Sequence, residues 1–421
     1  MFTITVKEAY IEPGSTIING IKLRKFQEEI FCSIGKYKRI LLKAPTGSGK
    51  TFTIILGALR SFLDSTFYPV VGIYPSKALV NDQYRSVMET LKKMGLKQIN
   101  DKTFVGELEI NGEKKGEIKI NVNVITADNK QLPKLGDDGV NIIMTVPEYP
   151  YMYLSSLGLS SAFSKVIEIV TKYDFDDAVK KLSYVYKSEI INVWNYFSLF
   201  FNGYWFIDEY HLYSGLARAS LFTLLEMYEK FNAYVRGGKS IIFSSATPVN
   251  INVDKVIEAK LTDNGEIIRK RTRVFFHPTP ADPQAELIKN VKIDDRRTII
   301  ILDRAYYIAE LCKSVKAVVI WGLDMDKQSY GNCVKVEKID PKEKLVIGNE
   351  AISFGIDLDF EKGYIHAHDK ETLIQRFGRV GRHSEAEVHI FLESYSKVMD
   401  ELEKYNGKEI SYEEFLNLID R

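Results

Sequence analysis

Eight residues constrain this chain more than any others. Ala44-Pro45-Thr46-Gly47-Ser48-Gly49-Lys50-Thr51 follows the apolar run Ile40–Leu42 and opens the helical stretch Thr51–Phe62. A strand, a glycine-bearing turn and a helix in that order predict parallel strand pairing, with the helix as the crossover. The glycines let backbone N–H groups approach a phosphate closely, at the positive end of the helix dipole. Lys50 is placed to reach the β- and γ-phosphates, and the Thr51 hydroxyl to ligate Mg²⁺. The stretch reads as a phosphate-binding loop, with Ala44 where the strict pattern has its first glycine.

The same grammar repeats. Val70–Tyr74 runs into Pro75–Lys77 and a helix through Leu91, and Asn141–Met144, Tyr204–Ile207 and Ser240–Phe243 are further strands ending in polar residues. It restarts at Arg297–Leu302 and continues through Ala317–Trp321, Lys344–Ile347, Tyr364–His366 and Glu387–Leu392. The expected organisation is two α/β domains, residues 1–255 and 276–394, joined by a charged linker over 256–275 and followed by helices over 395–421. Two insertions are expected in the first domain. Alternation around Asn111-Gly112 predicts hairpin material over about 104–124. Residues 150–202 are helical in pattern and dense in aromatics, either a small packed core or a docking and base-stacking surface.

Tyr204-Trp205-Phe206-Ile207-Asp208-Glu209-Tyr210-His211 places two carboxylates at a strand terminus. Asp208 suits a Mg²⁺ ion, directly or through water, and Glu209 suits deprotonation of an attacking water. Gln375-Arg376-Phe377-Gly378-Arg379-Val380-Gly381-Arg382 spaces three arginines with glycines, which a salt-bridged surface helix does not require. Guanidinium groups presented this way suit a γ-phosphate, as arginine fingers.

KAPTGSGKT, DEYH, SSATP (Ser244–Pro248) and QRFGRVGR, in that order, resemble the motifs of superfamily 2 helicases of the DExH type, over roughly residues 20–390. The resemblance implies two tandem RecA-like parallel-sheet domains, ATP and Mg²⁺ between them, and single-stranded nucleic acid crossing both. It assigns catalytic roles to Lys50, Asp208, Glu209, Gln375, Arg379 and Arg382, and adenine reading to Gln27 in Leu23-Arg24-Lys25-Phe26-Gln27. Gly355 and Asp357, in Phe354-Gly355-Ile356-Asp357, approach the nucleotide in the family pattern. Ser245 and Thr247, with His211 as partner, link ATP state to strand grip. Pro75, Ser76 and Lys77, together with Thr145 and Pro147 of Thr145-Val146-Pro147-Glu148, are the backbone-gripping turns.

Within the superfamily, Asp-Glu-Tyr-His-Leu-Tyr, the Thr-x-Pro-Glu turn and Ser-Phe-Gly-Ile-Asp-Leu-Asp-Phe resemble the CRISPR-associated helicase of type I interference, most of all its stand-alone archaeal and cyanobacterial form, as in subtype I-D. That resemblance implies 3′-to-5′ movement on single-stranded DNA and recruitment to a guide-RNA complex. Many relatives carry an HD nuclease domain in the same chain. Here His368-Asp369 is the sole His-Asp pair, and with His366 it reads as a strand exit rather than a metal cluster. The expectation is that a separate HD subunit cuts DNA. Two alternatives share these residues: a repair or RNA helicase of the same superfamily, and a nucleotide-gated, nuclease-recruiting adaptor with little hydrolysis.

With 57 basic and 56 acidic residues the net charge is +1, which excludes a basic nucleic-acid coat but not a locally positive groove. Lys77 and the Arg269–Arg273 cluster are candidates for that groove, and a solvated interdomain linker is the competing reading of the cluster. Cys32, Cys312 and Cys333 read as buried or incidental thiols, too few for a disulfide framework. The apolar runs are strand-length and the N-terminus lacks a secretion-signal layout, so a cytoplasmic protein, without a membrane partner and monomeric when free, is expected.

Overall fold

The computed structural model describes residues 1–45, 47–127, 139–157, 172, 177, 181, 196–234, 239–245, 251–320, 329–336, 339–340, 342–349, 359–394 and 396–419. The chain forms two compact units. The first comprises Gly14–Ala44 and Lys50–Glu258; the second comprises Met1–Pro13, Pro45–Gly49 and Ala259–Arg421.

In the first unit, strands run in the order Lys255–Glu258, Arg39–Lys43, Ile241–Ser245, Tyr204–Ile207, Val70–Ile73, Val140–Thr145 and Glu113–Ile125, all parallel. Ile40, Leu41, Leu42, Val70, Val71, Ile142 and Ile143 are buried. Continuous apolar runs of this kind are what a parallel sheet covered on both faces requires. Helix Phe52–Leu63 is buried over most of its length. It lies close to the sheet because Gly57 has no Cβ: one placed there would meet Phe206 Cε2 at 2.8 Å. Strand Glu113–Ile125 turns back antiparallel on Thr103–Ile110, with Asn111 and Gly112 both left-handed at the hairpin tip. The hairpin is thus an extension of the main sheet rather than a separate insertion.

The second unit repeats the plan. Cys333–Lys335, Val318–Ile320, Leu345–Gly348, Thr298–Ile301, Lys362–His366, Ala386–Glu393 and Thr272–Thr279 are parallel neighbours in that order. Both sheets are of the RecA-like parallel kind, as the sequence predicts. Helices Ser396–Tyr405 and Tyr412–Ile419 follow, the second setting Phe415 against Phe377 with ring centroids 4.5 Å apart.

Three expectations need correction. Strand Phe2–Val6, expected in the first domain, pairs antiparallel with Thr272–Thr279 and so belongs to the second unit. The expected linker over 256–275 is built largely of strand. Lys255–Glu258 extends the first unit's sheet, while Leu261–Thr262 and Glu266–Arg269 flank Ala9–Ile11 in a small sheet of the second. Finally, Cys312 and Cys333 are not incidental thiols but form a disulfide, with Cα atoms 5.4 Å apart, inside the apolar cluster of Leu311, Ile347 and Phe391.

Most of the aromatic stretch over 150–202 lies outside the described residues. Of its described members, Tyr196, Phe200 and Phe201 are fully buried, and the Trp205 indole donates to the Phe200 carbonyl at 2.5 Å. Those three are packed core, not a docking surface.

Candidate active site

The phosphate-loop sequence folds locally as its glycines require. Gly47 and Gly49 both lie near φ +80°, where an L side chain is strained. Ser48 N donates to the Pro45 carbonyl at 3.3 Å, closing the turn. Ser48 is buried, and its Oγ has no hydrogen-bond partner among the described residues, so a polar occupant of the loop would satisfy it. The N-terminus of helix Phe52–Leu63 follows at once, and the positive end of its dipole favours an anion. Ala44 leads into the turn, its N–H donating to the Ser245 carbonyl at 3.2 Å. Thr46 lies outside the described residues.

Lys50 and Glu209 meet: Nζ and Oε1 are 2.7 Å apart, with both side chains largely buried. Strand Tyr204–Ile207 is buried throughout, and Asp208 N donates to the Ile73 carbonyl, carrying the ladder one residue further. At Glu209 the backbone is left-handed, φ 45° and ψ 51°, a conformation that costs a non-glycine residue about 1–3 kcal/mol and tends to gather at functional sites. The turn gives Glu209 a position beside Lys50. Burial, reinforced by the neighbouring Glu209 charge, pushes the Asp208 carboxyl up to about 6, while Lys50 acts in the opposite direction. A dication at Asp208 would restore the ionised form. Thr51 Oγ1 donates to Gln83 Oε1 at 2.5 Å, which leaves the hydroxyl oxygen's lone pairs for a cation. Asp208 and Thr51 therefore fit the Mg²⁺ role that the sequence suggests.

His211, in the single turn after Glu209, has Nδ1 3.0 Å from Ser245 Oγ and 3.7 Å from Glu209 Oε2. A hydrogen-bonded path thus joins the carboxylate strand to the Ile241–Ser245 strand. Thr247, Gly355 and Asp357 lie outside the described residues.

In the second unit, Asp369 caps helix Lys370–Phe377 by accepting from Thr372 N at 2.7 Å. Gln375 is half-buried on that helix, and Arg379 and Arg382 are half-buried just after it. Arg382 Nε donates to the Gly378 carbonyl at 2.6 Å, and its backbone N to Asp359 Oδ1 at 2.7 Å. Arg376, the remaining arginine of the motif, turns inward instead. It is 1% exposed and donates to Asp303 Oδ1 and the His366 carbonyl.

Several binding candidates are committed to the fold. Arg269 is buried: its guanidinium lies 3.6 Å from the Phe377 ring centroid and donates to the Phe377 and Val380 carbonyls. It braces the arginine-bearing turn and is no strand contact, which corrects one member of the Arg269–Arg273 cluster. Arg271 pairs with Glu409 at 3.0 Å. Thr145 is fully buried, its hydroxyl donating to the Ile125 carbonyl at 2.7 Å, and Pro147 is buried beside it, so neither side chain reaches a strand. Ser76 caps helix Lys77–Lys93, accepting from Leu79 N at 3.3 Å; Pro75 is half-buried and Lys77 exposed. Gln27 is buried and accepts from Arg24 N at 2.9 Å through Oε1. Sequence reasoning missed Gln83 and Asp303. The signal for Asp303 was present, an acid at the end of the apolar run Ile299–Leu302.

Two units, each built on a parallel-rich sheet, in a chain with a glycine-rich phosphate-loop sequence and a strand-end Asp-Glu pair, define an α/β protein of the tandem RecA-like class. Residues 24–149 match the DEAD/DEAH box helicase family. The ATP-dependent helicase Lhr-Core of Sulfolobus acidocaldarius is 24% identical over 389 residues, covering 83% of this chain and 38% of its own length. The DUF1998 helicase MrfA bound to DNA and AMPPNP superposes with a TM-score of 0.63 at 16% identity, covering 99% of this chain and 57% of that one. The Mycobacterium smegmatis helicase Lhr bound to ssDNA and AMP-PNP gives 0.53 at 14%, covering 92% and 49%. At these identities the two structural likenesses show the fold alone. The chain spans 38% of the length of the Lhr-Core relatives it matches.

Proposed function

We propose that the chain is an ATP-hydrolysing translocase or helicase acting on single-stranded DNA. The observation that carries this reading is Lys50 held 2.7 Å from Glu209 at the start of a helix that follows a glycine-rich loop. Loop N–H groups and Lys50 bind the phosphates, which draws Lys50 off Glu209. Glu209, released, accepts a proton from the attacking water. Thr51 and Asp208 would hold Mg²⁺, which would offset the negative charge of the phosphates. Arg379 and Arg382 are assigned to the γ-phosphate, assisted by Gln375, and Gln27 to the adenine. The His211–Ser245 bond is assigned to passing nucleotide state toward the strand-binding turns.

DNA as the track is supported by the DNA-bound helicases the chain resembles in fold. The finer reading is 3′-to-5′ movement in type I CRISPR interference in the cytoplasm, as a monomer recruited to a guide-RNA complex, with cutting left to an HD nuclease subunit. It rests on the DEYHLY, TVPE and SFGIDLDF stretches. No helix among the described residues is long and apolar enough to cross a membrane.

The test is ATP hydrolysis with and without single-stranded DNA. DNA is expected to stimulate turnover, and Lys50→Ala and Glu209→Gln each to lower it by about 10²-fold or more. Equal rates in all three proteins would overturn the assigned roles. A guide-RNA complex loaded on its target should stimulate turnover beyond free strand; no added stimulation would remove the CRISPR reading and leave the motor intact.

A further inference from the structure

The strand-exit histidines, set aside as a metal cluster on sequence grounds, are not isolated in space. Strand Lys362–His366 and its neighbour Thr298–Ile301 end side by side in the second unit. Their exits place Asp303 Oδ2 2.5 Å from His366 Nδ1 and 3.5 Å from His368 Nδ1, and one ligand atom from each residue lies within 4.8 Å of the others. Ligand atoms around a tetrahedral zinc at about 2.0–2.1 Å stand roughly 3.4 Å apart. The His368 contact already has that separation, and the His366 contact needs to open by less than 1 Å.

The surroundings hold these groups as ligands are held. His368 Nε2 is 2.8 Å from Asp369 Oδ2, the carboxylate–histidine arrangement that fixes ring orientation and raises ligand basicity. Asp303 is anchored through its other oxygen by Arg376, and its backbone N donates to the buried Gln284 Oε1 at 2.9 Å. His368 is 62% exposed, and the three residues line an open cavity of about 660 Å³, giving an ion an entry path.

We propose that Asp303, His366 and His368 form a transition-metal site separate from the nucleotide loop. Two imidazoles and one carboxylate suit zinc, cobalt or another first-row dication, and not magnesium or calcium, which prefer oxygen ligands. The ion would take the place of the hydrogen between His366 Nδ1 and Asp303 Oδ2, that proton passing to solvent through the open cavity. Because Arg376 grips both Asp303 and the His366 carbonyl, the ion also braces the helix that leads into the arginine turn.

The experiment titrates the full chain, without a histidine tag or nucleotide, with cobalt chloride, following visible ligand-field absorption, and with zinc chloride by calorimetry. One equivalent is expected to bind with histidine-type absorption and to raise the thermal midpoint. His368→Ala, at an exposed position that spares the fold, should abolish all three signals, and Asp369→Ala should weaken binding by about 10–100-fold. Absence of cobalt absorption in the wild type would overturn the site, as would unchanged binding in His368→Ala. Either result leaves the ATPase reading standing.

Discussion

Removing the ammonium of Lys50 exposes what the ion pair contributes before any nucleotide arrives. At 2.7 Å and an effective dielectric constant of about 20, the Coulombic attraction to Glu209 is roughly 6 kcal/mol before desolvation. Loss of one partner of a buried pair costs about 3–5 kcal/mol, and the 10% and 17% exposure of these side chains places Lys50→Ala near the lower end, about 3 kcal/mol. The cost arises because Glu209 and the adjacent Asp208 then face each other uncompensated. Glu209→Gln in the Lys50→Ala background should recover part of it, so the double-mutant cycle should show about 1–3 kcal/mol of coupling. Urea unfolding in the absence of nucleotide reads this well, because Trp205, four residues before Glu209, is buried and reports by fluorescence. Additivity within about 0.5 kcal/mol would refute the argument that the two groups hold each other.

Arg269→Lys should lower stability by about 2–3 kcal/mol in urea unfolding, since an ammonium cannot span the Phe377 and Val380 carbonyls as the planar fork does. Gly381→Ala sits at φ 76° with its new Cβ 2.6 Å from Thr272 Oγ1, and about 1–3 kcal/mol of destabilisation is expected by thermal unfolding. Burial and the adjacent His389 push His277 down to about 4, below the value near 6.5 of an unfolded chain. The unfolded state therefore binds more protons between those values, and this contribution to stability is present above pH about 6.5 and lost as pH falls toward 4. The ring stacks on Phe391 at 4.4 Å, so His277→Phe keeps the packing, and its urea midpoint should vary less over that window than the wild type's.

The parallel-sheet plan and the core of the candidate site were legible because their signals are local. Ile40–Leu42 before the glycines, and Tyr204–Ile207 before Asp208, carry strand and chemistry within one short window. What escaped depends on distant partners. Nothing in FTITV indicates that its mate is Thr272–Thr279, nor do Cys312 and Cys333, 21 residues apart, reveal their bond. Arg269 resembles a surface cation until Phe377 is seen against it. Thr145 and Ser76 carry the residue types of strand-gripping turns, yet a carbonyl and a helix end claim their hydroxyls. Polar residues at strand ends serve backbone and ligand alike, and composition does not separate the two.

The pairing of Phe2–Val6 with Thr272–Thr279 sets a timetable for synthesis. Phe2–Val6 leaves the ribosome some 270 residues ahead of its mate, which at about 5–20 residues per second is on the order of tens of seconds. In that interval the whole Lys50–Glu258 body can condense while FTITV waits as an unzipped edge. The charged residues that follow, Lys7 and Glu8, are then its guard against joining a stranger's sheet.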